Sequence, residues 1–289
     1  MDSNKKAVFK TLLYSDIFDY PLTEKEVFFF LHDKKLSVQT VRQTLESLSS
    51  IVTKDGYSVL AGREVLLTLR KKREQVSKRK KELALRVSTL LFLFPSVYTI
   101  GVSGGVSMEN AEKDDDIDLF VITAKGTLWT TRLFMLLFLQ VLGKRRRREE
   151  RNVNNTICLN MFLDEEHLSF TEARKDIYTA HEIVQLLPFY DRNETYKRFL
   201  NKNDWVYRLL PNARHIYRQP KTRTFSRFDY IILRLFVLFE PVTRVLQRWY
   251  LSQHQTTEEV SRGVAAFHPS DHKEKTLQGY KERCKTYGV

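Results

Sequence analysis

The feature that most constrains the fold of this chain is the stretch from Gly101 to Thr123, GVSGGVSMENAEKDDDIDLFVIT. It ends in a β-branched, apolar run that is typical of a strand, and the run DDDID places four carboxylates at its start. The preceding run SVYTIGV is also strand-like and leads directly into two adjacent glycines. Carboxylates at this spacing repel one another, so either they lie in a solvated turn or they share a cation.

Strand geometry selects two of these aspartates. Asp116 and Asp118 are two residues apart, so in an extended strand both side chains project from the same face. Two carboxylates side by side are unfavourable unless a cation neutralises them. Hard divalent ions, Mg²⁺ above all, prefer such oxygen ligands and complete their shell with water and substrate phosphates. Gly104 and Gly105 lack a Cβ, so their backbone N–H groups can approach a phosphate closely.

This combination resembles a known signature. Gly104-Gly105 followed at a distance by Asp116-Ile117-Asp118 is similar to the motif of the polymerase-β-like nucleotidyltransferase superfamily, in which a Gly-Ser or Gly-Gly pair follows one strand and Asp-x-Asp lies on the next. The resemblance covers residues 97–123 and extends loosely to residue 164.

The resemblance implies a reaction and a set of roles. A nucleoside monophosphate would pass from an NTP to an acceptor, with release of pyrophosphate. Asp116 and Asp118 would hold Mg²⁺ or Mn²⁺, and Ser103, Gly104 and Gly105 would bind the phosphates of the substrate. Chemistry of this kind depends mostly on positioning and electrostatics.

The family usually adds a third carboxylate from a later strand, and NTICLNMFLD is the next strand-like run. Alternation predicts that Cys158, Asn160, Phe162 and Asp164 share one face of it. Asn160 occupies the middle and is assigned to substrate binding. Asp164, roughly 13 Å further along, is assigned as the third catalytic carboxylate. Because Asn160 brings no charge, the alternative is a catalytically degenerate protein that binds nucleic acid or another protein.

Composition narrows the partners. The formal net charge of +13 and the pI of about 9.6 favour polyanionic partners such as an NTP, a nucleic-acid acceptor or an acidic membrane surface, with a protein acceptor as an alternative, and make a cationic small-molecule acceptor less favoured. Two distant cysteines, Cys158 and Cys284, argue against a disulfide scaffold or a cysteine zinc site. With no apolar leader and no run of about 20 apolar residues, a cytoplasmic protein without a transmembrane segment is expected.

The first part of the chain, residues 1–62, reads as three helices and a hairpin. Thr23 and Glu26 form a capping-box pattern, Ser37 precedes the third helix, and Asp55-Gly56 is a strong hairpin signal. This order resembles a winged helix-turn-helix. A docking or structural module is favoured over DNA binding, because Arg42 is the one cation on the exposed face of the third helix.

Two basic segments follow with open interpretations. Residues 63–95 read as a connecting helix with seven basic residues from Lys71 to Lys81. These residues form either a solvated face or a surface that binds a polyanion. The cluster from Lys144 to Arg148 either binds the phosphates of a nucleic-acid acceptor or is a solvated helix end, where cations complement the helix dipole. The apolar run from Leu133 to Leu142 reads as a buried helix, with peripheral membrane contact as the alternative.

The predicted fold class is α+β. A winged-helix-like domain (1–62) and the basic helix (63–95) precede a nucleotidyltransferase-type mixed β-sheet with flanking helices (96–170), and a helical domain (171–289) follows. In that last part His181-Glu182 lacks a partner histidine at i+4, which favours a core or surface role over a metal site. The run YIILRLFVLFEPVTRVLQRWYL favours an amphipathic core helix, with membrane or partner docking as the alternative.

Overall fold

The structure, a computed structural model, describes residues 1–147, 153–253, 259–260, 263–267 and 270–289. Its architecture is mixed α+β: a small antiparallel sheet lies in the N-terminal part, and a larger mixed sheet with helices on both faces forms the rest. This general class confirms the sequence prediction.

The N-terminal part contains the three helices and the hairpin expected from the sequence. Its elements are α1 (Ser3–Asp16), β1 (Leu22–Thr23), α2 (Glu24–Phe29), α3 (Val38–Glu46), β2 (Ile51–Lys54) and β3 (Tyr57–Leu60). Both predicted caps are present: Thr23 and Glu26 form a complete capping box, and the Ser37 hydroxyl accepts a hydrogen bond from the backbone N–H of Thr40. The hairpin turns at Asp55 and Gly56 with positive φ angles of 53° and 81°, as its two-residue loop requires.

One long helix, α4 (Leu66–Leu91), joins the two parts. Its first turn packs on the hairpin through Leu66 and Leu67, and its last turns place Val87 and Leu91 in the core of the larger sheet.

The remaining elements build the larger sheet and its covering helices. In chain order they are β4 (Val97–Val102), α5 (Gly104–Ser107), β5 (Ile117–Thr123), α6 (Leu128–Val141), β6 (Ile157–Asp164), α7 (Ile177–Gln185), β7 (Leu187–Asp191), α8 (Thr195–Lys202), α9 (Val206–Leu209), β8 (Lys221–Thr222), α10 (Arg227–Ser252), β9 (Glu259–Val260), β10 (Val264–Ala266) and α11 (Ser270–Thr286). The strand order is β8-β7-β4-β5-β6-β10-β9. The pairs β5/β6 and β7/β8 are parallel, and the other neighbours are antiparallel.

Each face of this sheet has its own core. Leu119, Val121 and Phe162 pack on one face with α4 and α6. Phe120 and Met161 pack on the other face with α7, α8 and α9. The strands that carry the predicted motif therefore lie in a sheet that is covered on both sides.

The predicted helical domain after residue 171 does contain five of the helices described above, but it is not a separate helical domain. That part supplies β7, β8, β9 and β10, and β7 lies beside the strand that leads into the glycine pair. The close approach depends on Gly101, where an added Cβ would stand 2.5 Å from the Leu187 carbonyl oxygen and 2.8 Å from the Pro188 Cα. A five-residue strand that contains a proline and lies between helices gives too little alternation to be recognised from sequence.

The two most apolar helices are less buried than expected. In α6, Met135 and Leu139 are buried, whereas Leu137 is 51% and Val141 is 84% exposed. Helix α10 is amphipathic, as predicted, but most of its large apolar side chains face outward, so the favoured core role is wrong. Among the helices of the described residues, none combines the length and apolar character that a bilayer-spanning segment needs.

Candidate functional site

The predicted motif residues meet at one edge of the larger sheet. Because β4 and β5 are antiparallel, the end of β4 lies beside the start of β5, and the backbone N–H of Ser103 donates to the Asp118 carbonyl at 3.0 Å. Because β5 and β6 are parallel, Asp118 is also level with Cys158. The glycine pair and both aspartates are thus brought together by strand pairing.

The two glycines differ in how strictly the structure requires them. Gly104 has a positive φ of 61°, and a Cβ at this position would lie 2.8 Å from the Asp118 Oδ2 atom. Gly105 is exposed, and its added Cβ would meet the Ala111 Cα at 3.5 Å, an ordinary contact. Gly104 is therefore the residue that lets the loop lie against the carboxylate.

Asp116, Asp118 and Cys158 form a compact group of donor atoms. One ligand atom from each lies within 4.8 Å of the others. The Oδ2 atom of Asp116 is buried, and its close contact is an ion pair rather than a hydrogen bond. Its charge is balanced by Arg146, whose Nη1 atom lies 2.5 Å away and also donates to the Cys158 Sγ at 3.6 Å.

The charges of this group act on one another. Burial by itself would lower the pKa of Arg146, but Cys158, Asp116 and Asp118 together raise it above its ordinary value. The pKa of the Cys158 thiol is raised well above its usual range, first by burial and then by the charges of Asp118 and Asp116. The thiol is therefore a neutral neighbour of the carboxylates at neutral pH.

This donor set fits a divalent cation. Two carboxylates whose ligand atoms lie within 4.8 Å of one another suit a hard ion such as Mg²⁺ or Mn²⁺, which would replace Arg146 beside the Asp116 Oδ2 atom. The thiol adds a donor for softer metals once it is deprotonated. Sequence reasoning placed Cys158 on its strand face without giving it a role, and did not connect Arg146 with the aspartates. Only the pairing of β5 with β6, and of the chain around Arg145 with Ile157, could have revealed both.

The predicted strand face on β6 is wrong beyond Cys158. Leu119 pairs with Leu159 but Phe120 pairs with Met161, so Asn160 is an extra residue at a β-bulge. The bulge reverses the alternation, because Met161 packs with Phe120 on one face and Phe162 packs on the other. Asn160 itself is buried, with 1% of its surface exposed.

Asp164 consequently lies apart from the two aspartates. It is level with Thr123 at the opposite end of β5, roughly 20 Å along the strand from Cys158. Its carboxylate accepts hydrogen bonds from the backbone N–H groups of Gly126 and Glu166. Its role is to hold these two turns, and it is not the third acid of the site.

Helix α4 holds the aspartate-rich turn that precedes β5. The buried Lys80 ammonium donates to the backbone carbonyls of Lys113 at 3.0 Å and Asp115 at 2.6 Å, and to the Asn154 side chain. Other cations of this helix form ion pairs with acidic side chains; these pairs are Lys71 with Asp55, Arg73 with Glu112 and Lys81 with Glu109. Three of the seven basic residues of this predicted polyanion-binding segment are thus paired with acids of the chain. Of the cluster beginning at Lys144, Arg148 lies outside the described residues.

Helix α7 brings another acid to the site. Glu182 lines a small cavity of about 20 Å³ together with Ser103, whose Oγ atom is buried without a hydrogen-bond partner in the described ranges. One turn earlier, Tyr178 has its pKa raised, first by burial, then by Glu182 and by the Asp118 charge. A cavity of this size holds a water molecule rather than a nucleotide.

His181, the neighbour of Glu182, has a structural role. Its Nε2 lies 3.0 Å from the Nε2 of His32, and its Nδ1 lies 2.9 Å from the Gln185 amide nitrogen. With that amide orientation, Gln185 donates to His181, His181 donates to His32, and the Nδ1–H of His32 donates to the Tyr280 hydroxyl. Burial lowers the pKa of His32 to about 3 and that of His181 well below its usual value, so both rings are neutral.

Comparisons with known protein families, with curated proteins and with solved structures return no match to this chain.

Proposed function

We propose that this protein is a cytoplasmic, Mg²⁺- or Mn²⁺-dependent nucleotidyltransferase with a polymerase-β-like site at the edge of the larger sheet. One observation carries the proposal: Gly104 adopts a conformation suited to glycine directly against Asp118, while Asp116 lies within 4.8 Å of the same group. This is the arrangement that the Gly-Gly and Asp-x-Asp pair implies. Two free cysteines accord with a reducing compartment.

In this proposal each residue has a limited task. Asp116 and Asp118 hold the cation, and the backbone N–H groups of Gly104 and Gly105, together with the Ser103 hydroxyl, hold the phosphates of the NTP. The bound ion would polarise the triphosphate and stabilise the charge of the leaving pyrophosphate. A bond forms between the acceptor oxygen and the α-phosphorus, and the bond from that phosphorus to the bridging oxygen of the β-phosphate breaks.

Glu182 is the proposed third acid in place of Asp164. It lines the same cavity as Ser103 and electrostatically couples to Tyr178, which is itself influenced by Asp118. The proton of the acceptor hydroxyl would pass to the Glu182 carboxylate, directly or through a water molecule in the cavity.

Arg146 would exchange partners when the substrate binds. Its guanidinium now pairs with Asp116, at the position where a cation bound by that oxygen would lie. In the proposed complex it leaves Asp116 and binds a phosphate of the NTP, since guanidinium groups suit phosphate oxygens.

The N-terminal part is proposed to be a winged helix that docks a protein or positions the acceptor. Its three helices, hairpin and short third strand support this fold. The exposed Arg42 is paired with Glu24 at 2.8 Å, which leaves α3 poorly suited to tracking a phosphate backbone.

The test is transfer of label from each α-³²P-labelled NTP, with Mg²⁺ or Mn²⁺, to a pool of RNA, protein and metabolites. Calorimetry of NTP and Mn²⁺ binding runs in parallel with Asp116→Asn and Asp118→Asn. Asp114→Asn is the matched control, because it removes the same charge from the exposed part of the turn. The proposal requires transfer that is lost in the first two variants and retained in the third.

The second candidate is the degenerate, binding-only protein, which Asp164's distance from the site favours. It predicts steeply salt-dependent binding of nucleic acid that survives loss of both aspartates, with no transfer of label. Metal and NTP binding that does not differ between wild type and the two Asn variants would decide against the enzyme.

A further inference from the structure

Helix α10 has an inverted distribution of polar and apolar side chains. Its inward face is joined to the start of α6 by hydrogen bonds: the Glu240 carboxylate accepts from the backbone N–H groups of Trp129 at 3.0 Å and Thr130 at 2.9 Å. Gln247 donates to the Trp129 carbonyl at 2.6 Å, and the hydroxyls of Thr130 and Thr243 lie 2.9 Å apart. A surface helix of a water-soluble domain normally does the reverse and turns its apolar stripe inward.

The outward face of α10 is almost entirely apolar. Leu238 is 71% exposed and Trp249 is 64% exposed. The exposed large apolar side chains of the face are Phe228, Ile231, Leu235, Val237, Leu238, Phe239, Val242, Val245, Leu246 and Trp249. Together with the exposed Phe134, Leu137 and Val141 of α6 they form what we call the outer apolar face. Apolar patches of this extent on a soluble protein mark an interaction surface.

Arginines line one flank of this face. Arg244 and Arg248 are four residues apart, and Arg234 precedes Arg248 by two seven-residue repeats, about four helical turns, so all three lie on the same side of the helix. Within the described residues none of the three forms a salt bridge. At the end of α6, Val141 and Leu142 are followed, after Gly143, by the cations Lys144 and Arg145. The surface is therefore apolar in its centre and cationic at its rim.

We propose that the outer apolar face lies on an anionic lipid bilayer, with α10 in the plane of the interface. The helix is about 39 Å long, its apolar side chains continue along its length, and Trp249 near one end suits the headgroup level. The flanking arginines complement anionic headgroups. The hydrogen-bonded inward face holds the helix to the protein while its apolar side enters the lipid.

Charge also distinguishes the bilayer from a second copy of the chain. A symmetric dimer pairs the same patch with itself, so the arginine flank of one copy would lie at the rim of a contact with the same flank of the other. Anionic lipid instead neutralises every arginine. Charge complementarity therefore favours the bilayer as the occupant.

The experiment is flotation of the full-length chain with vesicles of phosphatidylcholine alone or with about one quarter phosphatidylglycerol. Trp249 supplies a second readout, because Trp129 and Trp205 are buried and brominated lipid should quench mainly the exposed ring. We expect binding to the anionic vesicles, with quenching that Trp249→Phe removes. Each arginine changed to glutamine should weaken binding by about fivefold.

Two matched variants locate the surface. Leu238→Glu on the outer apolar face should weaken vesicle binding by about tenfold or more. Val65→Glu places the same charge at another exposed apolar side chain, 78% accessible and outside both helices, and should leave binding unchanged. Circular dichroism of both variants establishes that the fold is retained.

Other outcomes overturn the proposal. Vesicle binding that is equal for Leu238→Glu and wild type would place the lipid contact elsewhere. A dimer in analytical ultracentrifugation that Leu238→Glu dissociates, without vesicle binding, would assign the face to self-association. A monomer that does not bind vesicles of either composition would also refute it.

Discussion

Replacing each glycine of the pair by alanine gives a sharp test of the site geometry. Gly104→Ala and Gly105→Ala add the same methyl group to adjacent residues of the same short helix. The added Cβ at Gly104 lies 2.8 Å from the Asp118 Oδ2, whereas at Gly105 it makes an ordinary 3.5 Å contact with Ala111. The structure therefore predicts opposite outcomes for two chemically identical changes.

The magnitudes follow from backbone conformation and contact. Alanine at a φ of 61° costs about 1–2 kcal/mol, because its Cβ crowds the backbone in the left-handed region. Displacement of the Asp118 carboxylate adds to this cost, so Gly104→Ala should lower the free energy of unfolding by about 2–3 kcal/mol. Gly105→Ala should instead raise it by about 0.5 kcal/mol, since alanine restricts the unfolded chain and the site has room for a methyl group.

Two measurements check this prediction. Urea unfolding should show a lower midpoint for Gly104→Ala with an unchanged slope, and a midpoint equal to or above wild type for Gly105→Ala. Calorimetry with Mn²⁺ should show affinity reduced by about tenfold in Gly104→Ala, because the displaced Asp118 is a proposed ligand. Gly105→Ala should bind within about twofold of wild type.

Equal effects of the two substitutions would refute the reasoning. If Gly104→Ala unfolds at the wild-type midpoint, the contact with Asp118 does not determine the loop conformation. If it is destabilised but no metal binds to either protein, the geometry is right and the proposed cation site is wrong. The stability and binding readouts thus separate fold from function.

Three further predictions concern other parts of the molecule. His32 and His181 are neutral in the folded protein and bind a proton when it unfolds, so their contribution to stability is complete above the unfolded pKa of about 6.5. As the pH drops below that value, the free energy of unfolding measured in urea should fall by about 1.4 kcal/mol per pH unit for each of the two histidines. A wild-type slope equal to that of His32→Gln would contradict this. Arg146→Met should tighten Mn²⁺ binding on the order of tenfold, because Asp116 loses a competing cation. An unchanged affinity in calorimetry would mean that Arg146 and the metal ion do not compete for the same oxygen of Asp116. Gly101→Ala should destabilise by about 2–3 kcal/mol in thermal or urea unfolding, since the nearest atoms are backbone; a neutral effect would mean that β7 does not lie against β4 as described.

Much of the local structure follows from residues close together in the chain. The Thr23–Glu26 capping box, the Ser37 cap and the Asp55-Gly56 turn all form as the sequence predicts. Each depends on hydrogen bonds or φ angles within about four residues, so the local sequence contains all the partners.

Part of the candidate site follows from sequence for the same reason. The motif predicts that Asp116 and Asp118 lie together, and their ligand atoms do lie within 4.8 Å. The location of Gly104 beside Asp118 needs only one more step, the antiparallel pairing of two strands joined by a short connection. Nearest-neighbour strands pair often enough for this step to be expected.

The rest of the site depends on long-range register. The single extra residue at Asn160 reverses the faces of β6 and removes Asp164 from the site, although the sequence shows nothing unusual there. Cys158 reaches the aspartates because β6 lies beside β5, and Arg146 reaches them because the chain after α6 pairs with the start of β6. A one-residue change of register alters every side-chain direction beyond it, so local patterns cannot supply this information.

The sequence by itself determined the three N-terminal helices, the hairpin, the amphipathic character of α10 and the pair of aspartates. Only the tertiary structure decided which side of α10 faces outward, because the polar partners of Glu240 and Gln247 lie on α6, more than a hundred residues earlier in the chain. The amphipathic pattern shows that the helix has one polar and one apolar face. Which face is turned inward depends on the neighbouring element that forms hydrogen bonds with the buried polar groups.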